Sequence, residues 1–567
     1  MSLTQRATDI WQSASQLTTK NNVIIAGVSV VSISIAVRWY RRRYNDSAPP
    51  GYKGRKDLPY PPGLPVLGNA LQLSISKIIA NFENWAWEYG TEYKAYVGPF
   101  PIVVLSSTTA IDQVFKERPY NIRRSANTEK LFEDCNIPGL FSMEGERWRH
   151  SRNWMAPQLT QAKTNKAGPV MTKHVVSLRT ALQEISKTME ELNEKFYPSI
   201  TSQESSHQTN VFYNPKDLKI DITPFREYAF SVMIDFAFAH ENNTHFSPTL
   251  FQDLKIVFDV IRRRAITPIP LYKYGIRDSM DRKYDRTITD LKNSIKRIIE
   301  EYTPEEFKQN EDKMSTMLES LYIAAQEEEN EKSNLKTATK AAKRVTIDDI
   351  VGNLITAIVA GYDTTSNSLY NIAYMLACNP EAQKKLQEEA DSIFGPPEKR
   401  ATMSAEELSA VFNDDYIKQF PYTNAVIQET NRLLPVASLL DGQLTKDLVI
   451  DGHYYRKKTV FIALTRVAAL RSCPTPDPFK FKPERWIECT PEERRLHDKM
   501  AWGFGGGPRV CPGRHLATME LVIALVAVFT LFDIQPIEKP WTAPHAVEAN
   551  PTTSLLDNVH LRYIPRY

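Results

Sequence analysis

The chain has 567 residues, a formal net charge of +3 and 42% hydrophobic residues. This nearly neutral balance argues against a nucleic-acid-binding protein, because such proteins carry a basic patch or stripe. The five cysteines stand apart with no Cys-x-x-Cys pair, which indicates a reducing compartment and argues against disulfide frameworks, zinc fingers and iron–sulfur clusters. Length alone would suggest about three or four domains. The motifs described below belong together although they are spread over most of the chain, so they predict one large domain.

The N-terminal segment is predicted to anchor the chain in a membrane. Residues 23–37 are apolar apart from serines and one glycine, and arginines occupy positions 41–43. A helix over residues 21–40 would span about 30 Å, the thickness of a hydrocarbon core. The positive-inside rule then places the rest of the chain in the cytosol. A cleaved signal peptide is the alternative, but most of the positive charge follows the apolar run. We therefore expect residues 1–44 to be an anchor.

A proline-rich hinge over residues 45–70 is predicted to follow the anchor, because prolines stiffen the exit from the membrane. Residues 71–567 are then expected to form a single domain. Residues 81–300 are mostly typical of helices with irregular joints, and the apolar run at 102–105 predicts a short buried strand.

Trp148 and Arg152 stand four residues apart in a predicted helix, so they share one face. Taken alone, the pair is typical of a packed tryptophan beside an arginine whose charge reaches water.

A long amphipathic helix is predicted to begin at Thr346. Thr346 and Asp349 resemble a capping box, and apolar residues recur with helical spacing over about thirty residues. In the middle, the run of residues 360–365, Ala-Gly-Tyr-Asp-Thr-Thr, is poor helix material. A threonine hydroxyl that bonds a helix carbonyl would open a groove in which a carboxylate and a hydroxyl relay protons. Taken alone, these residues also fit a polar patch facing water.

Glu429 and Arg432 lie three residues apart on another predicted helix and therefore share a face. Alone, they describe an ordinary surface pair. A Pro-Glu-Arg-Trp run at residues 483–486 follows downstream, in a proline-rich coil.

A lone cysteine, Cys511, lies in the run Phe-Gly-Gly-Gly-Pro-Arg-Val-Cys-Pro-Gly at residues 504–513, just before a predicted apolar helix at about 512–532. The glycines permit positive φ and a close approach of backbone to a flat ligand. Backbone N–H groups and the positive end of the helix are expected to lower the pKa of the thiol. Arg509 is placed to bind an anionic edge of that ligand. A buried free cysteine that fills space is the alternative.

The spacing Phe-x-x-Gly-x-Arg-x-Cys-x-Gly, met by Phe504, Gly507, Arg509, Cys511 and Gly513, resembles the haem-binding signature of the cytochrome P450 family of haem-thiolate monooxygenases. The other motifs resemble segments of that family in the same order along the chain, from about residue 60 to residue 515. Within the family, the single anchor is similar to eukaryotic microsomal members, fungal in style.

The resemblance implies haem b as the cofactor, with Cys511 as its proximal iron ligand. It assigns Arg471, on a looser match, to a haem propionate. The other residues that it implies for cofactor binding are Trp148, Arg152, Phe504, Gly505, Arg509 and Gly513.

The resemblance also implies two catalytic residues in the long helix. Thr364 would be the hydroxyl that holds the oxygen to be activated, and Asp363 would be the acid that supplies protons. Glu429, Arg432 and Arg485 would form a buried structural triad that shapes the cysteine loop.

The fold that follows from the resemblance is mostly α with a small β region, preceded by one transmembrane helix. The expected activity is hydroxylation of a lipophilic small molecule, a steroid-like compound, terpenoid or fatty acid, with dioxygen. The pocket is expected from the segment after Arg123 and from residues 251–269, 356–360 and 435–440, which are mostly apolar apart from arginines 262–264.

Electrons are expected from an NADPH-cytochrome P450 reductase, because the chain has no flavin or nicotinamide fingerprint. Arg147, Arg149 and Arg509 are the candidate contacts for it. The chain is expected to be a monomer in the endoplasmic reticulum membrane, with the catalytic domain in the cytosol and no nucleic-acid partner. A haem-thiolate isomerase or peroxygenase, which would not need the proton relay, and a non-catalytic haem sensor are the alternatives.

Overall fold

The computed structural model describes residues 35, 48–64, 67–73, 77–196, 222–238, 246, 250–266, 271–301, 316–323, 346–412, 415–536 and 561–567. Over these residues the chain is mostly helical with three small sheets, which confirms the predicted mostly α fold. The predicted anchor, residues 1–44, lies outside the described residues except for Ile35.

The helices alternate with short joints along the chain. The first nine are α1 (Ile78–Tyr89), α2 (Thr108–Glu117), α3 (Ala126–Asp134), α4 (Gly145–Gln158), α5 (Gln161–Lys166), α6 (Gly168–Phe196), α7 (Thr223–Phe238), α8 (Leu250–Ile266) and α9 (Ser279–Glu301). The later ones are α10 (Ile347–Ala377), α11 (Pro380–Phe394), α12 (Pro397–Thr402), α13 (Ala405–Val411), α14 (Tyr416–Gln419), α15 (Pro421–Leu433), α16 (Thr465–Arg471), α17 (Pro491–Asp498) and α18 (Arg514–Ala527).

The strands are short, and most of them come either before α2 or after α15 in the chain. They are β1 (Lys53–Gly54), β2 (Glu92–Val97), β3 (Phe100–Leu105), β4 (Ile122–Arg123), β5 (Leu439–Leu444), β6 (Leu448–Ile450), β7 (His453–Tyr455), β8 (Val460–Leu464), β9 (Phe532–Pro536) and β10 (Leu561–Pro565). The sheets have the orders β2-β3-β8-β5-β4, β1-β7-β6 and β10-β9. The predicted strand at 102–105 is confirmed as part of β3, which pairs antiparallel to β2 and parallel to β8.

The longest helix of the described part, α10, has 31 residues and confirms the predicted long helix. The Thr346 hydroxyl accepts from the Asp349 N–H at 3.1 Å, and the Asp349 carboxylate accepts from the Thr346 N–H at 3.1 Å. Gly361 does not break the helix. A Cβ there would lie 2.5 Å from the Met233 sulfur, so the glycine allows α7 to pack closely on α10.

The predicted C-terminal apolar helix is α18, which begins at Arg514 and ends just before a 3₁₀ turn at Phe529–Leu531. In the described part of the chain, one segment, Arg514–Leu531, has the length and apolar character of a membrane span, and 78% of it is buried inside the protein. It packs with α10 in the main hydrophobic core.

The end of the predicted hinge packs on the domain. The Asn69 N–H donates to the Tyr96 carbonyl at 2.6 Å, and its side-chain oxygen accepts from the Tyr96 N–H at 3.0 Å. The Asn69 side-chain amide also donates to the Pro62 carbonyl at 3.0 Å. This part of the segment is therefore fixed against β2 by hydrogen bonds.

Candidate haem-thiolate site

The cysteine loop, residues 504–513, closes on itself before α18 begins. The Cys511 N–H donates to the Phe504 carbonyl at 2.9 Å. Gly505 and Gly507 have φ angles of 73° and 62°, the positive values that glycine permits. Gly506 is extended, with φ of −159°.

The glycines also allow the loop to lie against the end of α2. A Cβ on Gly506 would come within 2.9 Å of the Phe115 ring, and a Cβ on Gly507 within 2.3 Å of the Phe115 carbonyl oxygen. Any side chain at these positions would push the loop away from α2. The turn that precedes Cys511 is therefore held against the C-terminal end of α2.

The pKa of the Cys511 thiol is raised above its ordinary value, contrary to the predicted acidification. Burial raises it and outweighs a backbone hydrogen bond from Gly513 and the positive charges of Arg152 and Arg514, which lower it. The groups that were expected to favour the thiolate are therefore present, although burial opposes them. A metal cation bound at the sulfur would deprotonate it outright.

The Arg509 side chain is buried beside the loop. Its guanidinium lies 2.7 Å from the Glu144 carboxylate and donates to the Met143 carbonyl at 2.9 Å. It also stacks over the Trp148 ring, 4.3 Å from the centroid. Burial and neighbouring arginines lower the pKa of Arg509 to about 10, although Glu144 acts in the opposite direction.

Helix α4 connects the cysteine loop to the long helix. Trp148 is buried, and Arg152, one turn later, is half-buried. Burial lowers the pKa of Arg152, whereas the negative charge of a Cys511 thiolate raises it, so the two side chains lie close together. One turn after Trp148 on α4, the Ser151 hydroxyl accepts from the Asn353 side-chain amide of α10 at 3.4 Å. Trp148, Arg152, Arg509 and Cys511, four of the predicted site residues, are thus brought together.

The predicted structural triad is confirmed. The Glu429 carboxylate accepts two hydrogen bonds from Arg432 at 2.8 Å and one from Arg485 at 2.8 Å. The Trp486 ring N–H donates to the same carboxylate at 2.9 Å. Although burial raises the pKa of Glu429, the two arginines hold it below its ordinary value.

The triad supports the cysteine loop directly, because both use α15. Asn431, between the triad residues Glu429 and Arg432, packs against Gly503, where a Cβ would come within 3.0 Å of the asparagine side chain. The arginines of the triad therefore fix the helix surface on which the start of the loop rests.

Arg471 lies elsewhere, so its assignment to a propionate is wrong. Its guanidinium donates to the Ala86 carbonyl and to the Ser106 hydroxyl, the latter at 3.1 Å, and it stacks on the Trp87 ring. Through these contacts, Arg471 connects α16 to α1 and to the residue that follows β3.

An opening lies along the middle of α10. Ala360 is exposed, and Gly361 and Thr364 are half-buried, although the helix crosses the core and its other faces are buried. The Thr364 hydroxyl donates to the Ala360 carbonyl at 2.7 Å, the contact that was predicted to open a groove. The helix nevertheless stays continuous. Asp363, next to Thr364, is buried and only 5% exposed.

Two arginines near the loop were missed in the sequence. Arg118 and Arg124 are close enough to Arg509 for their charges to lower its pKa, as does Arg152. We call Arg118, Arg124, Arg152 and Arg509 the arginine cluster. The sequence gave little indication of either residue, because Arg124 only begins an expected pocket segment and Arg118 belongs to no motif.

The family model for Cytochrome P450 matches residues 58–555, most of the chain. The chain belongs to the cytochrome P450 family. It is therefore a haem-containing monooxygenase, with haem b as its cofactor.

Several curated proteins are similar to the chain over most of their length. Cytochrome P450 3A9 of Rattus norvegicus is 27% identical over 487 residues, which cover 85% of this chain and 86% of the rat protein. Cytochrome P450 3A29 of Sus scrofa is 26% identical over 90% of this chain and 91% of its own length. Cytochrome P450 3A5 of Homo sapiens is 26% identical over 86% and 87%, respectively.

The residues present fit a haem. Cys511 provides a sulfur on a loop held by its own backbone, and α10 provides an open strip at Ala360 within a buried helix. The arginine cluster provides positive charge for the propionates of the porphyrin. When bound through a thiolate, the haem supplies dioxygen activation, which electron donation from sulfur favours.

Proposed function

We propose that the chain is a membrane-anchored monooxygenase that hydroxylates a lipophilic small molecule, with Cys511 as the iron ligand and Asp363 and Thr364 as catalytic residues. The observation that carries this proposal is the open strip of α10 at Ala360 and Thr364, which leaves a hydroxyl accessible on a helix whose other faces are buried. The alternatives without a proton relay have no need of that hydroxyl.

Thr364 and Asp363 divide the proton transfer between them in this proposal. The Thr364 hydroxyl faces the opening, where it can rotate from the Ala360 carbonyl to hold dioxygen and pass on a proton. Asp363 is buried on the neighbouring face of the helix, away from bulk water. A carboxyl group in that position is a source of protons for the hydroxyl, and its burial limits proton leakage from solvent.

Thr364→Ala should leave haem content and substrate binding nearly unchanged, because the helix is fixed by its neighbours. Proton delivery should become slower, so more NADPH should yield hydrogen peroxide and less should yield product. General acid groups of this kind contribute about 10²–10⁴-fold, and bypass by water should still leave a measurable deficit. The measurement is product and peroxide per NADPH with one reductase preparation.

Thr365→Ala is the matched control, because Thr365 is 2% exposed and lies on another face of α10. It should leave the product per NADPH at the wild-type value. Equal coupling in wild type and Thr364→Ala would remove the catalytic role from Thr364.

The proposed binding pocket is expected to take an apolar compound. The charge of Arg264, in one of the predicted pocket segments, is compensated inside the protein: its guanidinium lies 3.0 Å from the Asp281 carboxylate, donates to the Asp134 carbonyl at 3.2 Å and stacks on Tyr272. Arg263 is also paired with Asp281, at 2.6 Å. These arginines join α8 to α9 and to the end of α3, so they present no uncompensated charge to a substrate.

We propose a steroid-like polycycle as the first substrate class to test, ahead of terpenoids and fatty acids. The described residues of the segment at 435–440 support this choice, since Ala437 is exposed and Leu439 and Leu440 are half-buried next to the sheet. Ligand pockets are lined mainly by apolar side chains, which suits a lipophilic ligand. A difference-spectroscopy screen across the three classes tests it: binding of steroids alone supports the choice, and binding of fatty acids alone contradicts it.

The electron donor is proposed to be NADPH-cytochrome P450 reductase, docking beside the cysteine loop. Arg147 and Arg149 are exposed on α4 and remain candidate contacts. Arg509 is only 7% exposed at its side chain and is bound to Glu144, so the prediction that it touches the reductase is wrong. The Arg509 charge is paired with the Glu144 carboxylate inside the protein.

Deletion of residues 1–44 should move the protein from the membrane pellet towards the supernatant and leave the haem bound. The proposed anchor supplies the insertion energy of an apolar helix, and the family match begins only at residue 58. Fractionation with a haem assay on both fractions tests this. Haem loss on deletion would show that the N-terminal residues belong to the haem domain, and unchanged pelleting would show that membrane attachment lies elsewhere.

A further inference from the structure

Glu92, the first residue of β2, has a buried carboxyl group that contacts a histidine. Its Oε2 atom accepts from the Tyr455 hydroxyl at 2.8 Å and lies 2.6 Å from His453 Nδ1, whereas Oε1 has no hydrogen-bond partner among the described residues. The His453 side chain is 23% exposed, so the pair can exchange protons with water. A proton on either group avoids an unpaired negative charge in a buried position, which would be destabilising.

The other charged and titratable groups that face this pair come from the neighbouring elements. Asp451, in the turn between β6 and β7, acts on Glu92 through its negative charge, and the Ser107 hydroxyl donates to its carboxylate. Arg55, in the 3₁₀ turn Arg55–Asp57, is 6% exposed. Burial and the Glu92 charge raise the pKa of Tyr455, and the Arg55 charge opposes them. Near neutral pH, Tyr455 is therefore a hydrogen-bond donor and does not titrate.

The pair joins two of the sheets. Glu92 belongs to the five-stranded sheet, whereas His453 and Tyr455 lie on β7 in the sheet β1-β7-β6. Strand β7 pairs parallel with β1, where Lys53 lies opposite His453. The contacts of Glu92 thus hold β7, and through it β1, against β2.

A second buried side chain holds the same part of the chain from the same face of β2. Lys94, two residues after Glu92, is 1% exposed, and its ammonium group donates to the carbonyls of Arg55 and Lys56 at 3.1 Å. The Lys94 N–H donates to the Pro59 carbonyl at 2.9 Å. Residues 53–59, which we call the linker segment, are thereby held on β2.

We propose that Glu92 and His453 form a pH-sensitive latch that holds the linker segment on the sheets. The latch is closed while the pair carries a proton, and it opens more often once the pair has lost that proton. Because the linker segment leads towards the proposed anchor at residues 1–44, the latch controls how firmly the domain is held to its membrane attachment. The inference goes beyond the proposed function and requires neither haem nor substrate, so it is tested separately from the Cys511 site.

The titration of Glu92 sets the direction of the pH dependence. Burial raises its pKa to about 7 and the Asp451 charge acts in the same direction, although the Tyr455 hydrogen bond opposes them. A carboxyl group whose pKa is raised in the closed arrangement binds its proton more tightly there than in water. Closure is therefore favoured fully below the ordinary pKa of a glutamate, and that contribution is lost as the pH rises through about 7.

Lys94 titrates at higher pH and in the opposite sense. Burial lowers its pKa to about 8, with the Arg55 charge in the same direction and Asp57 against it. Its ammonium group therefore stays largely charged up to neutral pH. Since the lowered pKa disfavours the bound proton in the closed arrangement, loss of that proton at alkaline pH does not open the latch.

Amide hydrogen exchange of the full-length holoprotein at pH 6 and pH 8 tests the latch. After correction for intrinsic exchange rates, the protection of amides in residues 53–59 and 453–455 should be about threefold to tenfold lower at pH 8. The Soret band and the protection of α10 should be the same at both pH values, because the opening is local. Equal protection of the linker segment at the two pH values would overturn the latch.

Glu92→Gln should remove the pH dependence, because glutamine keeps the shape, still accepts from the Tyr455 hydroxyl and does not ionise. The matched control is Glu88→Gln, since Glu88 is exposed at the end of α1, and it should keep the wild-type pH dependence. The same pH dependence in Glu92→Gln as in wild type would overturn the latch.

Tyr455→Phe gives a second measurement, which decides if Glu92→Gln does not accumulate. The Tyr455 hydrogen bond lowers the pKa of Glu92, so its loss should move the pH at which the linker segment loses protection to a higher value. An exchange series from pH 5.5 to pH 8.5 locates that midpoint. A midpoint that stays at the wild-type pH would assign the pH dependence to another group and overturn the latch.

Discussion

Glu429→Gln is expected to be among the most damaging single substitutions in the protein. The carboxylate has no exposed surface and binds Arg432, Arg485 and the Trp486 ring at 2.8–2.9 Å. Glutamine keeps the shape but leaves two buried guanidinium groups without their anion, which costs about 3–5 kcal/mol. Since net folding free energies are about 5–15 kcal/mol, the variant should accumulate little haem-containing protein and should unfold at a clearly lower urea concentration.

A matched control for this substitution is Glu388→Gln, which removes a carboxylate from an exposed pair with Lys384. Exposed pairs contribute about 0–1 kcal/mol, so its urea midpoint, followed by loss of the Soret band, should match that of wild type. Equal midpoints for Glu429→Gln and the control would show that the triad does not hold the cysteine loop.

Cys511→Ser should abolish the red-shifted Soret band of the reduced carbon monoxide complex. The band depends on charge donation from a thiolate sulfur, and serine offers a hydroxyl that is far harder to ionise. Monooxygenase activity should be lost together with the band. The cysteine loop should keep its shape, because the hydrogen bond from the residue 511 N–H to the Phe504 carbonyl uses backbone atoms only.

Cys489→Ser is the control for this substitution, since it makes the same change at a half-buried cysteine outside the loop. It should leave the band unchanged. A red-shifted band that persists in Cys511→Ser would mean that another residue ligates the iron.

The parts of the fold that sequence predicted well are those specified by neighbouring residues. Helix α10 was predictable because its capping residues Thr346 and Asp349 are three apart and its apolar residues repeat with the helical period. The Glu429–Arg432 contact follows from the same spacing. Its third member, Arg485, needed the family pattern, because no local rule joins residues that lie more than fifty positions apart in the chain.

The parts that sequence did not predict depend on contacts between distant segments. Arg118 gains its meaning from burial next to the cysteine loop, and Arg471 loses its expected role because Trp87 and Ala86 bind it. The sign of the Cys511 pKa shift was wrong because the dipole and charge effects are visible in the motif, whereas the extent of burial is a property of the whole fold.

Turnover in labelled dioxygen distinguishes a monooxygenase from an isomerase, a peroxygenase and a haem sensor. Any compound that shifts the Soret band of the full-length protein is incubated with NADPH, NADPH-cytochrome P450 reductase and ¹⁸O₂, and its product is analysed by mass spectrometry. A monooxygenase with the proposed site should place one labelled atom in the product and consume NADPH only when the reductase is present. An isomerised product without label, label-free oxidation driven by peroxide alone, or no turnover of any compound that binds would contradict the account.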